Sequence, residues 1–456
     1  MIATMRKICA ALVSAFAVSA CLSSANLSGG GGDVNPDGTP LGSLPEGGTC
    51  AADLKIDVGN CGACGKVCAN QANAYGLCKE GACAIGCNTG FGDCDSKPET
   101  GCESTLATDS NHCGTCGKSC GGARCVAGQC QPLAIAEIPG YVSAVAQDAT
   151  DLYYGFSAGG NYAIGRLAKD ASKGHTEVVA GILKSIPSLA VTTTDVYWTR
   201  ANEAAVAAPA DGAIHRAAKT MASAAGTPWI GALRISYGDS SVVADGSAFY
   251  ATTDTATPPL STLSRAAVTG TTSTATAQGI KGTVQSVAVD GAIAYYFASG
   301  DNTTGVGRGL YSCPTSGCGM SSTLVPGPPA NTYLYDIAVN GPHLYFSTGR
   351  AVARMKKDGT EYAVLGTSDS SYPYVISYAT DGTRIYWIER VYSGGGPGGD
   401  EYFTWTCPIA NCKDGRQPVV VPGEPLWVLG DDKAFYILAR TNSGAGNTTT
   451  VLKVLK

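Results

Sequence analysis

Short runs of β-branched and aromatic residues alternate with Gly, Pro and Asp-Gly turns over residues 131–456. One unit recurs: a small apolar run, a polar turn of two to four residues, and an apolar run centred on an aromatic side chain. Such runs are typical of β-strands joined by tight turns. The unit occurs seven times, and its central aromatic residues are Tyr153, Tyr197, Phe249, Tyr295, Tyr345, Tyr386 and Tyr436.

The spacing of these aromatic residues predicts the fold. They lie 41 to 52 residues apart, which is the length of one four-stranded unit in a radial repeat. Two further strand patterns follow each unit except the last, and no helical period is present. We therefore predict an all-β fold, a seven-bladed β-propeller of four-stranded blades over residues 131–456. Only one clear strand follows the last unit, so residues 132–138 are predicted to supply its outer strand and close the ring.

A second pattern precedes the propeller, because 14 of the 20 cysteines lie within residues 50–130. The spacing C-x10-C-x2-C-x3-C occurs twice, 52 residues apart, and each copy closes with a C-x4-C pair. The even number allows complete pairing and predicts a small disulfide-rich duplicated module, with its connectivity left open. The cysteines concerned are Cys50, Cys61, Cys64, Cys68, Cys78, Cys83, Cys87, Cys94, Cys102, Cys113, Cys116, Cys120, Cys125 and Cys130.

A zinc or iron–sulfur site is the alternative for these cysteines, since thiolates at a C-x2-C-x3-C spacing can converge on one ion. His112 is the single histidine near the clusters, and an exported chain meets an oxidising compartment. We expect disulfides here, with no metal and no cofactor. Two further pairs, Cys313/Cys318 and Cys407/Cys412, follow the third strands of blades four and six, and each is expected to bridge its own hairpin.

The first 21 residues have the three parts of an export signal. Arg6 and Lys7 precede an apolar run over residues 8–20, and small residues lead to Cys21. The apolar run is too short to span a bilayer stably. In an ordinary signal peptide Cys21 would be incidental. Residues 22–49 are rich in Gly, Pro and Ser without periodicity, which predicts a flexible tether.

The residues Val18-Ser19-Ala20-Cys21 resemble the lipobox of bacterial lipoproteins. This resemblance implies cleavage before Cys21 and attachment of acyl chains to it, so that lipid holds the protein to a membrane. Leu22 after the cysteine resembles an outer-membrane rather than an inner-membrane sorting pattern. The expected location is therefore exported and lipid-anchored, at the outer membrane or cell surface, with the periplasmic face left open.

The strings CGACGKVC at residues 61–68 and CGTCGKSC at residues 113–120 resemble the Cys-rich repeats of stigma-specific-type extracellular proteins. They are also similar to repeats of bacterial surface lipoproteins that join such modules to a C-terminal β-propeller. The resemblance implies an extracellular structural module with no activity attached.

Charge and motif content narrow the possible functions. A formal net charge of -5 excludes a strongly basic nucleic-acid binder, so no nucleic-acid partner is expected. No HExxH, P-loop or EF-hand motif occurs. A G-x-S-x-G string surrounds Ser157, but a strand pattern follows it where a hydrolase needs a helix. We predict no catalytic residue.

The loops between second and third strands are the irregular part of each blade, and variable loops on a rigid scaffold commonly carry binding residues. The loop of blade six suggests a ligand patch of Tyr392, Asp400, Glu401 and Tyr402. We expect a monomer with a binding or scaffold role toward a surface protein or glycan. Two alternatives stay open: an enzyme acting on polysaccharide through the central channel, and a purely structural envelope protein.

Overall fold

The structure is a computed structural model. It describes residues 52–456 except 183–184, 201–211, 221–222, 225–227, 236–240, 245, 255–258, 302–303, 329–331, 333, 368–372, 393–399 and 444–445. The predicted export signal, Cys21, the tether and Cys50 lie outside the described residues. No helix in the described part of the chain is long and apolar enough to cross a membrane. The chain falls into two compact units, Met1–Cys68 with Gly76–Ala84, and Ala69–Tyr75 with Ile85–Lys456.

Seven sheets with four antiparallel strands each form the propeller in the second unit, as predicted, and the sheet of blade 1 has a fifth, parallel strand from blade 2. From first to fourth strand, blade 1 consists of Tyr141–Gln147, Asp151–Ala158, Asn161–Ala168 and Thr176–Ile182. Blade 2 consists of Leu189–Val191, Asp195–Arg200, Gly212–Ala218 and Pro228–Leu233. Blade 3 consists of Ser241–Ala244, Ser247–Thr253, Leu260–Ala267 and Ser273–Lys281. Blade 4 consists of Val284–Asp290, Ile293–Ala298, Gly309–Pro314 and Thr323–Leu324.

The remaining three blades complete the ring. Blade 5 consists of Asp336–Asn340, His343–Ser347, Ala351–Lys356 and Ala363–Thr367. Blade 6 consists of Pro373–Thr380, Arg384–Val391, Glu401–Pro408 and Gln417–Val419, with a 3-10 turn at Ile409–Asn411 and a short helix at Cys412–Gly415. Blade 7 consists of Glu424–Gly430, Ala434–Ser443, Gly446–Leu455 and the N-terminal strand Leu133–Pro139. First strands of neighbouring blades contact each other between blades 1 and 2, 2 and 3, 3 and 4, 4 and 5, and 6 and 7, as expected of strands that surround the central channel of a propeller.

The recurring aromatic residue of each unit lies in the second strand and is at most 6% exposed. In five blades the residue opposite it on the first strand is alanine; the pairs are Tyr153/Ala146, Tyr197/Ala190, Tyr295/Ala288, Tyr345/Ala338 and Tyr386/Ala379. Blades converge toward the channel, so small side chains fit on the first strand and large ones farther out. The sequence unit is therefore the packing unit of the ring.

The N-terminal strand closes the ring, which confirms the sequence prediction. Leu133–Pro139 pairs antiparallel with Gly446–Leu455, and Ile138 lies opposite Thr449. The Ile138 side chain is fully buried in the core shared by blades 7 and 1. Pairing the first propeller strand with the last prevents the seventh blade from ending on an unpaired third strand.

Segments between third and fourth strands cover the outer edges of neighbouring blades. Ser223–Ala224 of blade 2 pairs in parallel with the fourth strand of blade 1. In blade 4, the Cys318 N–H donates to the carbonyl of Thr276, which lies in the fourth strand of blade 3. In blade 6, Arg416 Nη1 donates to the carbonyl of Thr367 at the end of blade 5. Free strand edges template aggregation, so these contacts protect the rim.

Disulfides fasten two of these covering segments. Cys313 and Cys407 occupy the same position near the end of the third strand, and they bond to Cys318 and Cys412 in the segments that follow. Each bridge therefore ties a third strand to the segment that covers the preceding blade.

Ion pairs link neighbouring blades on the face that carries the first-to-second-strand turns, here named the turn face. A lysine at the end of a third strand binds an aspartate at the end of the first strand in the preceding blade. The pairs are Lys169/Asp431, Lys219/Asp148, Lys357/Asp290 and Lys456/Asp381. Among the described residues, four of the seven blade junctions thus have the same lysine–aspartate contact.

Two of these lysines are almost completely buried. The side chains of Lys219 and Lys169 are 5% and 7% exposed, and the Lys219 ammonium lies 2.6 Å from Asp148 Oδ2. Burial opposes ionisation of Asp148, but hydrogen bonds from Lys219 and from the backbone of Thr150 and Asp151 outweigh it and keep its pKa below the usual range. Breaking such a pair leaves an uncompensated buried charge.

Burial likewise opposes ionisation of Asp381, and hydrogen bonds from backbone amides and Lys456 outweigh it, lowering its pKa to about 2. A carboxyl with a lowered folded pKa stabilises the protein above its unfolded pKa, near 4. That stabilisation is lost as the pH falls from about 4 toward 2. The blade junctions are therefore a source of acid sensitivity.

We expect Lys219→Met to lower the free energy of unfolding by about 2 kcal/mol, because Asp148 is left without its partner. Lys357→Met is the matched control: Lys357 and Asp290 are more exposed, so the expected loss is below about 1 kcal/mol. Urea denaturation at pH 7 measures both. Equal losses in the two variants would contradict the view that burial makes the Lys219 pair important.

The Cys-rich module contains three hairpins, Ala74–Lys79 with Ala82–Cys87, Phe91–Gly92 with Ser104–Thr105, and Cys125–Val126 with Gln129–Cys130. Its disulfides are Cys61–Cys78, Cys68–Cys83, Cys87–Cys102, Cys94–Cys116, Cys113–Cys125 and Cys120–Cys130. Cys64 is also disulfide-bonded. The first and second bridges correspond, by the repeat, to the last two, so the duplicated spacing produces duplicated connectivity.

A glycine contact is duplicated with the disulfides. Gly62 and Gly114 have φ values of +75° and +79°. A Cβ atom at Gly62 would lie 2.3 Å from the carbonyl oxygen of Gly81, and one at Gly114 would lie 2.5 Å from that of Gly128. Glycine is required at both positions because the turn needs positive φ and the backbones touch.

Candidate functional site

The loops between second and third strands emerge on the same side of the propeller as the links between blades. This side is named the loop face, and it lies opposite the turn face. It contains the starts of the first and third strands and the ends of the second strands. The predicted ligand patch belongs to it, at the loop of blade 6.

The exposed aromatic side chains of the described propeller residues all lie on the loop face. They are Tyr141, Tyr335, Tyr374, Tyr392 and Phe403, with exposures of 37% to 61%. Tyr141 and Tyr374 lie at the starts of first strands, and Tyr335 immediately precedes one. Tyr392 follows a second strand and Phe403 lies near the start of a third strand. They come from blades 1, 5 and 6, so the aromatic surface covers one part of the rim.

Tyr335 and Tyr374 form a ring contact between blades 5 and 6. Their centroids are 4.9 Å apart and their planes are inclined by 63°, an edge-to-face geometry. Burial and a hydrogen bond with Tyr335 raise the pKa of Tyr374 above its usual value. The Tyr374 hydroxyl is therefore neutral over the physiological pH range, and the two tyrosines present apolar ring surface beside polar groups.

The four residues of the predicted patch occupy different environments. Tyr392 is 61% exposed and Glu401 is exposed, whereas Tyr402 and Asp400 are half-buried. Asp400 Oδ2 accepts hydrogen bonds from Nε and Nη2 of Arg390, the first at 2.7 Å. The loop residues 393–399 lie outside the described residues. The binding role of the patch stays a prediction. The sequence alone did not indicate that Asp400 pairs with Arg390.

A second ion pair continues this charged surface into blade 7. Arg440 binds Glu424, and its guanidinium carbon lies 5.9 Å from the ring centroid of Tyr141. Burial raises the pKa of Tyr402, and Glu424 and Asp400 add to this effect while Arg390 and Arg440 oppose it. The loop face of blades 6, 7 and 1 therefore alternates aromatic rings with paired charges. Sequence reasoning missed Arg440 and Glu424, because strand pairing rather than a motif brings them together.

The wall of the channel carries serines at equivalent positions of the first strands. The Ser286 hydroxyl accepts a hydrogen bond from the backbone N–H of Ile337 in the next blade, and the Ser377 hydroxyl accepts one from Val428. These bonds satisfy backbone groups on the free inner edges of the first strands. In blade 5 the same position is an aspartate, Asp336.

Asp336 is an unusual carboxyl at the loop-face end of the channel. The residue is exposed to channel solvent, but the surrounding strands desolvate its carboxyl and raise its pKa to about 6. Hydrogen bonds from the Ser286 hydroxyl, at 3.2 Å, and from the Ile337 N–H, at 2.9 Å, offset this only in part. No ion pair within 4 Å joins Asp336 to a described cation.

Groups with metal-binding geometry occur elsewhere. Among the described residues, sets of three or more His, Cys, Asp or Glu ligand atoms within 4.8 Å of one another all lie between Cys61 and Cys130. Three of these sets contain cysteines that are disulfide-bonded and so offer no thiolate. The fourth joins Asp93, Asp95 and Glu103, which accept backbone hydrogen bonds within their own loop.

A strand follows the G-x-S-x-G string, as the repeat predicts, but the position that the repeat gave Ser157, in the loop between second and third strands, is wrong. Ser157 lies in the second strand of blade 1, and the chain continues through a turn into the third strand. His175 hydrogen-bonds to the Tyr154 hydroxyl at 2.6 Å. The strand geometry lacks the strand-to-helix turn that exposes a hydrolase nucleophile.

No family model matches the chain, and no curated protein matches it. Among solved structures, the chain is similar to the β-propeller domain of Cps50 (Swd1) from Myceliophteria thermophila, at 8% identity and a TM-score of 0.48, covering 68% of this chain and 96% of that one. It is similar to YCF48 bound to D1 peptide, at 12% identity and a TM-score of 0.45, covering 70% and 94%. It is also similar to a nidogen/laminin complex, at 15% identity and a TM-score of 0.36, covering 48% and 78%.

We expect Asp336→Asn to stabilise the protein at neutral pH. A carboxyl whose folded pKa is raised costs stability as the pH increases from about 4, its unfolded pKa, through 6. Asparagine keeps the acceptor for Ser286 and Ile337 without the charge. The melting temperature should rise by about 1 to 3 °C at pH 7.5 and be unchanged at pH 4.

The control for this measurement is Glu401→Gln, which removes an exposed carboxylate from the same face. Glu401→Gln should not produce the difference in melting-temperature change between pH 4 and pH 7.5 that is expected of Asp336→Asn. An Asp336→Asn effect that is the same at both pH values would show that the carboxyl is not held at a raised pKa.

Proposed function

We propose that this protein is an exported, lipid-anchored cell-envelope protein whose propeller binds a protein or glycan partner through the loop face. The observation that carries the proposal is the restriction of exposed aromatic side chains, among the described propeller residues, to that one face.

The disulfides support a location outside the cytosol. The described bridges span both the Cys-rich module and the propeller, and such bridges form and persist in oxidising environments outside the cytosol. An export signal that ends at a lipobox-like cysteine accounts for export from the cytosol and for retention of the protein at a membrane. In this proposal the acyl chains on Cys21 anchor the protein to the outer membrane, and residues 22–49 separate the folded part from the lipid.

The propeller supplies a rigid support for a binding surface. Its ring is closed by Leu133–Pro139, and buried ion pairs fix neighbouring blades. A rigid support lowers the entropic cost of binding, because the contact residues are already positioned. Loops that differ from blade to blade then provide specificity without altering the core.

The chemistry of the loop face suits recognition of a macromolecule. Tyrosine is enriched at interfaces, where a rigid ring buries a large area and its hydroxyl forms hydrogen bonds. Exposed rings beside carboxylates and guanidinium groups also fit sugars, which present apolar C–H faces and hydroxyl groups. Both partner classes expected from the sequence therefore match this surface.

An enzyme acting in the channel is less well supported. Glycosidases use two carboxyl groups separated by about 5 to 10 Å. The described first strands carry three carboxylates, of which Asp290 binds Lys357 on the turn face and Glu424 binds Arg440. Among the carboxylates of the described first strands, Asp336 alone has no ion-pair partner within 4 Å among the described cations, which favours binding over acid–base chemistry.

We expect Tyr335→Ala combined with Tyr374→Ala to weaken partner binding at least tenfold, since buried aromatic anchors commonly contribute about 2 kcal/mol or more each. The full chain is tested by biolayer interferometry against a panel of immobilised bacterial and host glycans and against envelope-protein extracts. The matched control is Tyr75→Ala, which removes an exposed tyrosine of the Cys-rich module and should leave binding like that of the wild type.

Equal losses in the loop-face variant and in Tyr75→Ala would contradict loop-face binding. Hydrolysis of the same glycan panel is measured in parallel. Turnover that disappears in Asp336→Asn would favour the enzyme alternative, and absence of both binding and turnover would favour a structural role.

We expect Cys21→Ser to release the protein from membranes, because the attached acyl chains would be its anchor. Fractionation of producing cells followed by immunodetection measures the distribution. Metabolic labelling with a palmitate analogue should label the wild type and not the variant. An unlabelled wild type, or a variant still bound to membranes, would contradict lipid anchoring.

A further inference from the structure

A cleft of 460 Å³ lies within the second compact unit, between the second copy of the Cys-rich repeat and the turn face of blades 6 and 7. Its volume is in the range of small-molecule sites. The charged and amide side chains that line it are Lys118 and Gln129 from the repeat, Arg384 and Gln417 from blade 6, Lys456 from blade 7, and Gln131 from the segment before the propeller.

The cleft is lined by cations, and no carboxylate side chain is among its described lining residues. This contrasts with the whole chain, whose formal charge is -5. Lys456 is neutralised by Asp381, with 2.9 Å between the ammonium and Oδ2. Asp381 also accepts hydrogen bonds from the backbone N–H groups of Thr383 and Arg384.

Lys118 and Arg384 are not neutralised. No ion pair within 4 Å joins either of them to a described carboxylate. Arg384 Nη1 donates one long hydrogen bond, 3.3 Å, to the Thr406 hydroxyl. Burial in the cleft and the nearby positive charge of Arg384 both lower the pKa of Lys118. Two like charges therefore face the same cavity without a counter-charge.

Comparison of the two copies of the repeat shows that the burial of Lys118 near Arg384 is caused by the cleft and not by the fold of the repeat. Lys66 is the equivalent of Lys118 in the first copy, and it is exposed. The local backbone is the same in both copies, since Cys61 N–H donates to the Lys66 carbonyl and Cys113 N–H donates to the Lys118 carbonyl. Only the second lysine is placed against Arg384.

We propose that this cleft is an anion site that binds a phosphate monoester through Lys118 and Arg384. The side chains that meet there, Lys118, Arg384, Lys456 and Asp381, sum to a charge of +2 at neutral pH. A phosphate monoester carries a charge of about -1.5 to -2 at pH 7, so one group supplies the missing counter-charge. The Arg384 guanidinium offers planar paired donors and the Lys118 ammonium a point charge, both of which phosphate oxygens accept.

The amides extend the site beyond the phosphate. The Gln129 side chain donates to Gln417 Oε1 across the cleft, which links the repeat to blade 6. Amides suit the hydroxyl groups of an attached sugar or glycerol, and the volume has room for one. The source of the group is then either a phosphorylated saccharide or the headgroup of a phosphomonoester lipid.

The test uses the purified full chain and glucose 6-phosphate as the probe, with glucose as the uncharged comparison, by isothermal titration calorimetry at pH 7. Wild type should bind glucose 6-phosphate and not glucose. Lys118→Gln and Arg384→Gln should each raise the dissociation constant roughly tenfold or more, because hydrogen bonds to charged groups are strong. Lys66→Gln is the matched control and should bind like the wild type.

A second readout separates binding from a structural role. Without ligand, Lys118→Gln should melt at the same temperature as the wild type or higher, since it relieves repulsion with Arg384. With glucose 6-phosphate at a concentration near the wild-type dissociation constant, wild type and Lys66→Gln should gain more thermal stability than Lys118→Gln and Arg384→Gln. No binding by wild type, or equal weakening by Lys66→Gln, would overturn the site. A lower melting temperature of unliganded Lys118→Gln would assign the lysine a structural role instead.

Vesicle flotation distinguishes the two sources. Binding to phosphatidic acid vesicles but not to phosphatidylglycerol vesicles, lost in Lys118→Gln, identifies a phosphomonoester headgroup as the ligand. Binding of glucose 6-phosphate without vesicle binding identifies a soluble or glycan-borne phosphate. The loop-face tyrosines lie on the opposite face, so Tyr335→Ala with Tyr374→Ala should leave phosphate binding unchanged, and the two proposals fail independently.

Discussion

Closure of the ring is the constraint on which the rest of this structure depends. Each blade packs on two neighbours, so a blade without a partner would expose the aromatic face that its second strand carries. Leu133–Pro139 supplies the outer strand of blade 7 and thereby joins the start of the propeller to its end. Once the ring is closed, every recurring aromatic residue is buried and every first strand faces the channel.

Charge is used differently on the two faces of this ring. On the turn face, lysines and aspartates of successive blades satisfy each other, and the most buried of these pairs stabilise the junctions. On the loop face, ion pairs such as Arg390/Asp400 and Arg440/Glu424 form within blades, beside exposed aromatic rings. The ion pairs of the turn face therefore join neighbouring blades, whereas the loop face keeps its aromatic rings exposed.

The cleft that we propose as an anion site is an exception to this pairing of charges. Where the second Cys-rich copy contacts blades 6 and 7, Lys118 and Arg384 bring two positive charges together, and Asp381 neutralises only Lys456. A ligand bound there would contact both Lys118 and Arg384, and it would therefore stabilise the contact between the repeat and the propeller. A partner on the loop face and an anion at the turn face can be present together, because the two surfaces do not overlap.

The sequence by itself determined the repeating part of the protein. The period of the aromatic residues predicted seven blades, the single strand after the last unit predicted closure, and the duplicated cysteine spacing predicted a disulfide module. These patterns are local, since strand alternation and turn residues act over a few positions. They identify each blade without information from any other.

Only the tertiary structure decided which distant residues meet. Lys169 recurs with Lys219 and Lys357 at the ends of third strands, but its partner Asp431 is 262 positions away. Asp336 is distinctive only beside the serines of other blades, and Lys118 differs from Lys66 only through its contact with blade 6. The disulfide connectivity was likewise open, because spacing alone is compatible with many pairings. Packing of the whole ring and of the Cys-rich module fixes these contacts. The ion pairs, the environment of Asp336 and the cleft at Lys118 therefore could not be read from any local sequence pattern.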